Sequence, residues 1–143
     1  MGECAPFMEL QAVTGQLVII NGQVQAPTGH RPTGKRTTPG LLVQSAPPKA
    51  TRSRRRDILF VHLTLSGQID ETQDLLDLIS RHFYQATGSI TAALRQAITE
   101  ANQRLLRLNL EDKGPTRVGA ISCAALHDGE LFLLQAGEGL AFL

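Results

Sequence analysis

The side chains with the most chemical capacity in this 143-residue chain are few and scattered. Cys4 and Cys123 are its thiols, and His30, His62, His82 and His127 its imidazoles. None of them falls at the i, i+4 or paired-cysteine spacing by which neighbouring side chains reach one metal ion. Cys123 lies inside the apolar run AISCAAL, which is the setting of a buried structural thiol and not of a nucleophile. Asp70 stands where it would cap a helix. Glu138 is held between Gly137 and Gly139, a carboxylate at a strand end or bulge. The densest charge is Lys49-Ala-Thr-Arg52-Ser-Arg54-Arg55-Arg56, which could draw an anionic partner. No aromatic side chain is interleaved with it to stack on bases, so it reads as a solvated loop and nucleic acid is not the expected partner.

The composition is that of an ordinary globular domain, with 42% hydrophobic and 19% charged residues. The net charge of +1 conceals an asymmetry: residues before Asp57 sum to +6, and those from Asp57 onward to −5. No apolar run approaches the roughly 18 residues of a membrane span. The opening MGECAPFMELQAV lacks a basic stretch followed by an apolar one, so the chain is read as cytoplasmic and not membrane-bound.

The elements that must position these side chains follow from periodicity. Residues 9–25 read as a hairpin, with LQAV and QLVIING as strands and Gly15 and Asn21-Gly22 as turn chemistry. Residues 26–56 are rich in proline and arginine and are expected to form a flexible loop, broken by a short strand at Leu41-Leu42-Val43. Asp57-Ile58-Leu59-Phe60-Val61-His62-Leu63 reads as a strand buried on both faces. A first helix is predicted with Asp70 as its cap, Gln73 at its third position, and Leu75, Leu76, Leu78, Ile79 and Phe83 as its stripe, ending at Thr87-Gly88. A second begins after Ser89 and carries Ile90, Leu94, Ala97, Ile98, Ala101, Leu105 and Leu108 at steps of three and four. Arg104 and Arg107 are expected near its C-terminal end, where the helix dipole is negative. Residues 118–126 and 131–136 form a hairpin about Asp128-Gly129, a pair suited to a type I′ turn.

The stretch GAISCAALHDGELFLLQAGEGLAFL, together with Ala101-Asn102 in the second helix, resembles the core of the metal-dependent type 2C (PPM-type) protein phosphatases. The resemblance implies an α+β fold, antiparallel sheets packed with an antiparallel helix pair, as a partial version of the α-β-β-α sandwich of that family. It covers roughly residues 28–143, and the whole chain is expected to be one domain.

That family holds Mg²⁺ or Mn²⁺ on carboxylates to activate water and neutralise phosphoryl oxygens. Carried over residue by residue, its Arg-x-x-Asn-Glu-Asp segment falls on Arg36-Thr37-Thr38-Pro39-Gly40-Leu41. This keeps Arg36 as a vestigial phosphate contact and puts Leu41 in place of a metal ligand. The Asp-Gly-x-Gly-Gly segment should lie in Leu63-Thr64-Leu65-Ser66-Gly67-Gln68, which contains no acid. In the Gly-Asp-Ser-Arg segment Gly137 is kept, Glu138 replaces the aspartate, Gly139 the serine and Leu140 the arginine, so Glu138 alone retains a carboxylate. The family's later motifs have no counterpart before Leu143. The resemblance therefore implies an inactive phosphatase-like module with no catalytic residues, metal or cofactor. Its role would be a protein contact or self-association through the apolar C-terminal strand edge, residues 131–143. The alternatives are an active Mg²⁺- or Mn²⁺-dependent serine/threonine phosphatase completed by further sequence or a partner chain, and an anionic-surface binder using Lys49 to Arg56.

Overall fold

The computed structural model describes residues 18–20, 23–25, 40–66 and 71–138. The chain divides into two compact units, Met1–Arg36 and Thr37–Leu143. In the first, β1 (Val18–Ile20) pairs antiparallel with β2 (Gln23–Gln25), Ile20 opposite Gln23. This is the register that a two-residue Asn21-Gly22 connection dictates. The part of the predicted hairpin around Gly15 lies outside the described residues.

In the second unit, four strands and two helices make an α+β layer pair. The strands are β3 (Leu41–Ser45), β4 (Ile58–Ser66), β5 (Val118–His127) and β6 (Glu130–Ala136), hydrogen-bonded in that order and all antiparallel. The helices α1 (Thr72–Gln85) and α2 (Ile90–Glu111) separate β4 from β5 in sequence and pack on one face of the sheet. Leu59, Val61 and Leu63 of β4 and Ile121, Cys123 and Ala125 of β5 meet Leu76, Ile79 and Phe83 of α1 and Leu94 and Ala97 of α2 in a single core. Among the described residues no helix is long and apolar enough to cross a membrane.

Several elements take the shape that the periodicity dictates. Ser89 caps α2, its Oγ accepting from the Ala92 N–H at 3.2 Å, and the stripe from Ile90 to Ala101 is buried apart from half-buried Ile98. Asp128 (φ 46°) and Gly129 (φ 85°) both take positive φ, as a type I′ turn requires.

Other expectations need correction. The segment 57–63 is not buried on both faces: within β4, Leu59, Val61 and Leu63 are buried while Phe60 is half-buried and His62 exposed. The helices cover one side only, so the period of two is hidden by apolar residues on both sides. The start of α1 is also different. Glu71 occupies the cap position without a side-chain cap bond, because its carboxylate is engaged by Arg117, and Gln73 donates instead to Asp77. Asp70 lies outside the described residues. Because α2 runs to Glu111, Arg104 and Arg107 precede its last turn, which holds no basic residue.

Of the segment read as a loop, residues 40–56 are folded. They form β3, a turn through Pro48, and a short 3₁₀ turn Arg52–Arg54. Arg54 is not solvated at all but 1% exposed, its Nη2 donating to the carbonyls of Gly88 (2.7 Å) and Ser89 (3.0 Å).

Candidate functional site

The segments that the phosphatase resemblance singles out are far apart in sequence, and the sheet register brings their described parts to one end. Leu41 opposes His62, and the Leu63 N–H donates to the Gly40 carbonyl at 2.7 Å. Thr64 opposes Ala120, and Ala136, just before Gly137 and Glu138, opposes Ile121. Arg36, Gly139 and Leu140 lie outside the described residues, as do Gly67 and Gln68.

What this end can do depends on its side chains. Leu41 opens β3 as a half-buried strand residue. Leu63 to Ser66 continue β4, with Leu63 in the core and Leu65 packed against it. Glu138 is exposed beyond the end of β6. Beneath α2 lies a cavity of about 350 Å³ bordered by Leu63, Leu65, Ala101, Asn102, Gly119 and Gly137. Its lining is largely apolar, and the Asn102 amide is its strongest polar group.

Two further carboxylates at this end are occupied. Arg117, immediately before β5, sets its Nε 2.6 Å from Glu71 Oε2 and its Nη2 2.8 Å from Asp112 Oδ2. Asn109 brackets the same residue's backbone, accepting from the Arg117 N–H at 2.9 Å and donating to its carbonyl at 2.8 Å. The hydrogen bond from Arg117 holds the Asp112 carboxyl below its usual range, while Asp112 and then Glu71 hold the guanidinium firmly charged. The result is a clamp joining the start of α1, the end of α2 and the start of β5. Carboxylates committed to an arginine in this way are poor candidates for a divalent cation.

The opposite end of the sheet carries a second polar group. Asp57, 1% exposed, places Oδ1 2.6 Å from His127 Nδ1 and Oδ2 3.6 Å from Arg54 Nη1. His127 Nε2 faces Asp128 Oδ2 at 3.5 Å, and Arg56 meets Asp128 at the surface. An aspartate that orients a histidine is half of a nucleophile-activating arrangement. Here the second ring nitrogen faces a carboxylate, not a hydroxyl or thiol, so the arrangement ties the hairpin β5–β6 to the 3₁₀ turn. Sequence reasoning saw neither this tie nor the Arg117 clamp.

Among the described residues no three acidic, histidine or cysteine side chains gather as a metal ion would require. Comparison with protein-family models, with curated proteins and with solved structures gives no match for this chain.

Cys123 lies in the core at 2% exposure, and desolvation pushes its thiol up from 9.0 to about 12. The thiolate is the reactive form, so burial silences it. Iodoacetamide at pH 8 is expected to modify Cys123 at least about a hundredfold more slowly in the native chain than in urea. The sign of the accompanying pH effect follows. The unfolded thiol ionises near 9.0 while the native one keeps its proton to about 12, so this group lowers stability as pH rises through that interval. Equal native and unfolded alkylation rates would show Cys123 to be accessible.

Proposed function

We propose that this chain is a protein-binding module with the layout of a type 2C phosphatase and without its hydrolytic centre. The observation that carries the reading is β4 itself. In the resemblance the acid that bridges both metals falls between Leu63 and Gln68, and here Leu63 and Leu65 turn inward to pack the core. A leucine offers no lone pair to Mg²⁺ or Mn²⁺, and water without a metal keeps its high pKa. Support for a binding role comes from β6, an edge strand among the described residues, whose Leu131 and Leu133 are 51% and 44% exposed. An open strand edge offers backbone donors and acceptors to a neighbour. The α-β-β-α sandwich is the architecture that this reading assigns to the parent family, of which the described sheet and helix pair would be one half.

The expected result is no hydrolysis of phosphoserine peptides or aryl phosphates above background in Mn²⁺ or Mg²⁺. Turnover that is lost on chelation and follows the protein through successive purification steps would establish the active-phosphatase alternative. The anionic-surface alternative is weakened by Arg54 and Arg56, whose guanidinium groups are engaged with Asp57 and Asp128.

A further inference from the structure

The face of the four-stranded sheet turned away from α1 and α2 has an unusual composition. Register assigns to it Leu41 and Val43 of β3, Ile58, Phe60, His62 and Thr64 of β4, the even-numbered residues of β5, and Leu131, Leu133 and Gln135 of β6. Ser45 and Ser66 complete it at the strand ends. None of these side chains is Asp, Glu, Lys or Arg, although 27 of the chain's residues are charged. Val43 is 41% exposed, and with Leu131 and Leu133 it frames a shallow apolar surface dented between Phe60, Ser122 and Leu133.

We infer that this face packs against the same face of a second copy, forming a two-fold dimer in which the two sheets meet. The inference rests on the protein-binding reading above and names its partner. Two features select a second copy. In a two-fold contact each patch meets itself, residue i against j and j against i, so a charge near the axis would meet its own kind. A face free of charge avoids that repulsion, whereas a surface built for a different protein is ordinarily marked by complementary charge. The area is also adequate. Four strands about 4.8 Å apart and rising about 3.3 Å per residue give a footprint on the order of 500 Å². Two such faces bury on the order of 1,000 Å², the lower limit of a specific interface, which corresponds to a weak dimer. Sheets packed face to face at about 10 Å interdigitate their side chains, and the dent by Phe60 receives a raised side chain of the facing sheet.

Sedimentation equilibrium of the full 143-residue chain tests this, from about 1 to about 200 μM, the range in which a micromolar association is visible. The wild-type chain is expected to pass from monomer to dimer across it. Val43→Glu is expected to raise the dissociation constant at least about tenfold by forcing an unpaired carboxylate into the contact. Val43 lies on β3, three strand spacings or about 14 Å from β6, so a dimer formed through the β6 edge would survive Val43→Glu. Leu110→Glu, on the outer side of α2 at a position 76% exposed, is expected to leave the dimer intact. Circular dichroism identifies a variant that has unfolded, and Leu133→Gln then carries the test on the face. A chain that stays monomeric throughout, including one whose own residues cover the face, overturns the inference. So does a dimer indifferent to a folded Val43→Glu, whatever Leu133→Gln does to it. Metal-dependent hydrolysis would overturn the non-enzymatic reading while leaving the dimer result standing, so the two failures are distinguishable.

Discussion

Replacing Asp57 by alanine is expected to destabilise the unit 37–143 by about 3–5 kcal/mol, the usual consequence of removing one partner from a buried ion pair. Asp57 and Arg54 are each 1% exposed, and the aspartate also holds His127. Without it, Arg54 remains in the interior against the Phe83 ring, at 5.5 Å, with two backbone carbonyls but no counter-charge. A domain of this size is stable by only about 5–15 kcal/mol, so the loss is a large fraction of the total. Urea denaturation followed by circular dichroism measures it. Arg54→Met in the same background should recover part of the loss, because it removes the uncompensated charge, and the two effects should be strongly non-additive. A loss below about 1 kcal/mol for Asp57→Ala would mean that water reaches the pair.

Gly40→Ala is expected to be nearly as damaging, for a conformational reason. Gly40 has φ +79°, and a Cβ built there would collide with the Leu63 carbonyl oxygen. The left-handed conformation alone costs an alanine about 1–2 kcal/mol. The collision adds to this, since Leu63 is fixed in the β4–β5 ladder and cannot retreat. Relief requires β3 to withdraw, breaking the 2.7 Å bond from the Leu63 N–H to the Gly40 carbonyl. Faster hydrogen exchange at the Leu63 amide, with a total loss above about 2 kcal/mol, is the expected outcome. Wild-type exchange and stability would show that the chain enters β3 by another path.

Neither of these roles was legible in the sequence, whereas features of shorter range were. The Ser89 cap, the α2 stripe and the Asp128-Gly129 turn are local: the residues that cause each feature lie within a few positions of it, so they can be recognised without the fold. The partners of Arg54 and Asp57 are different. Asp57 meets His127 across 70 residues and Glu71 meets Arg117 across 46, and nothing in the neighbourhood of either residue announces the other. A run of arginines therefore reads as solvated although one of its members is buried. The two-sided apolar character of β4 misled for a related reason: Phe60 and Ile58 are hydrophobic, yet they lie on the face away from the helices. Of the segments that the phosphatase resemblance singles out, the residue types, Leu41 and the acid-free window after Leu63, were legible in the sequence. The convergence of these segments at one end was visible only in the register.

The β4–β5 pairing has a kinetic consequence. Even at its nearest point, Ser66 with Val118, it joins residues 52 positions apart, and the whole helical hairpin lies in between. The helices and the β5–β6 hairpin can each form from short-range contacts, within microseconds or less. The centre of the sheet cannot, because closing the long intervening loop precedes any gain from the ladder. The meeting of these local pieces over β4 is therefore the expected slow step of refolding. Until then β4 presents apolar side chains on both sides to any other unfinished chain, so the most vulnerable moment of this protein's life comes before its core closes.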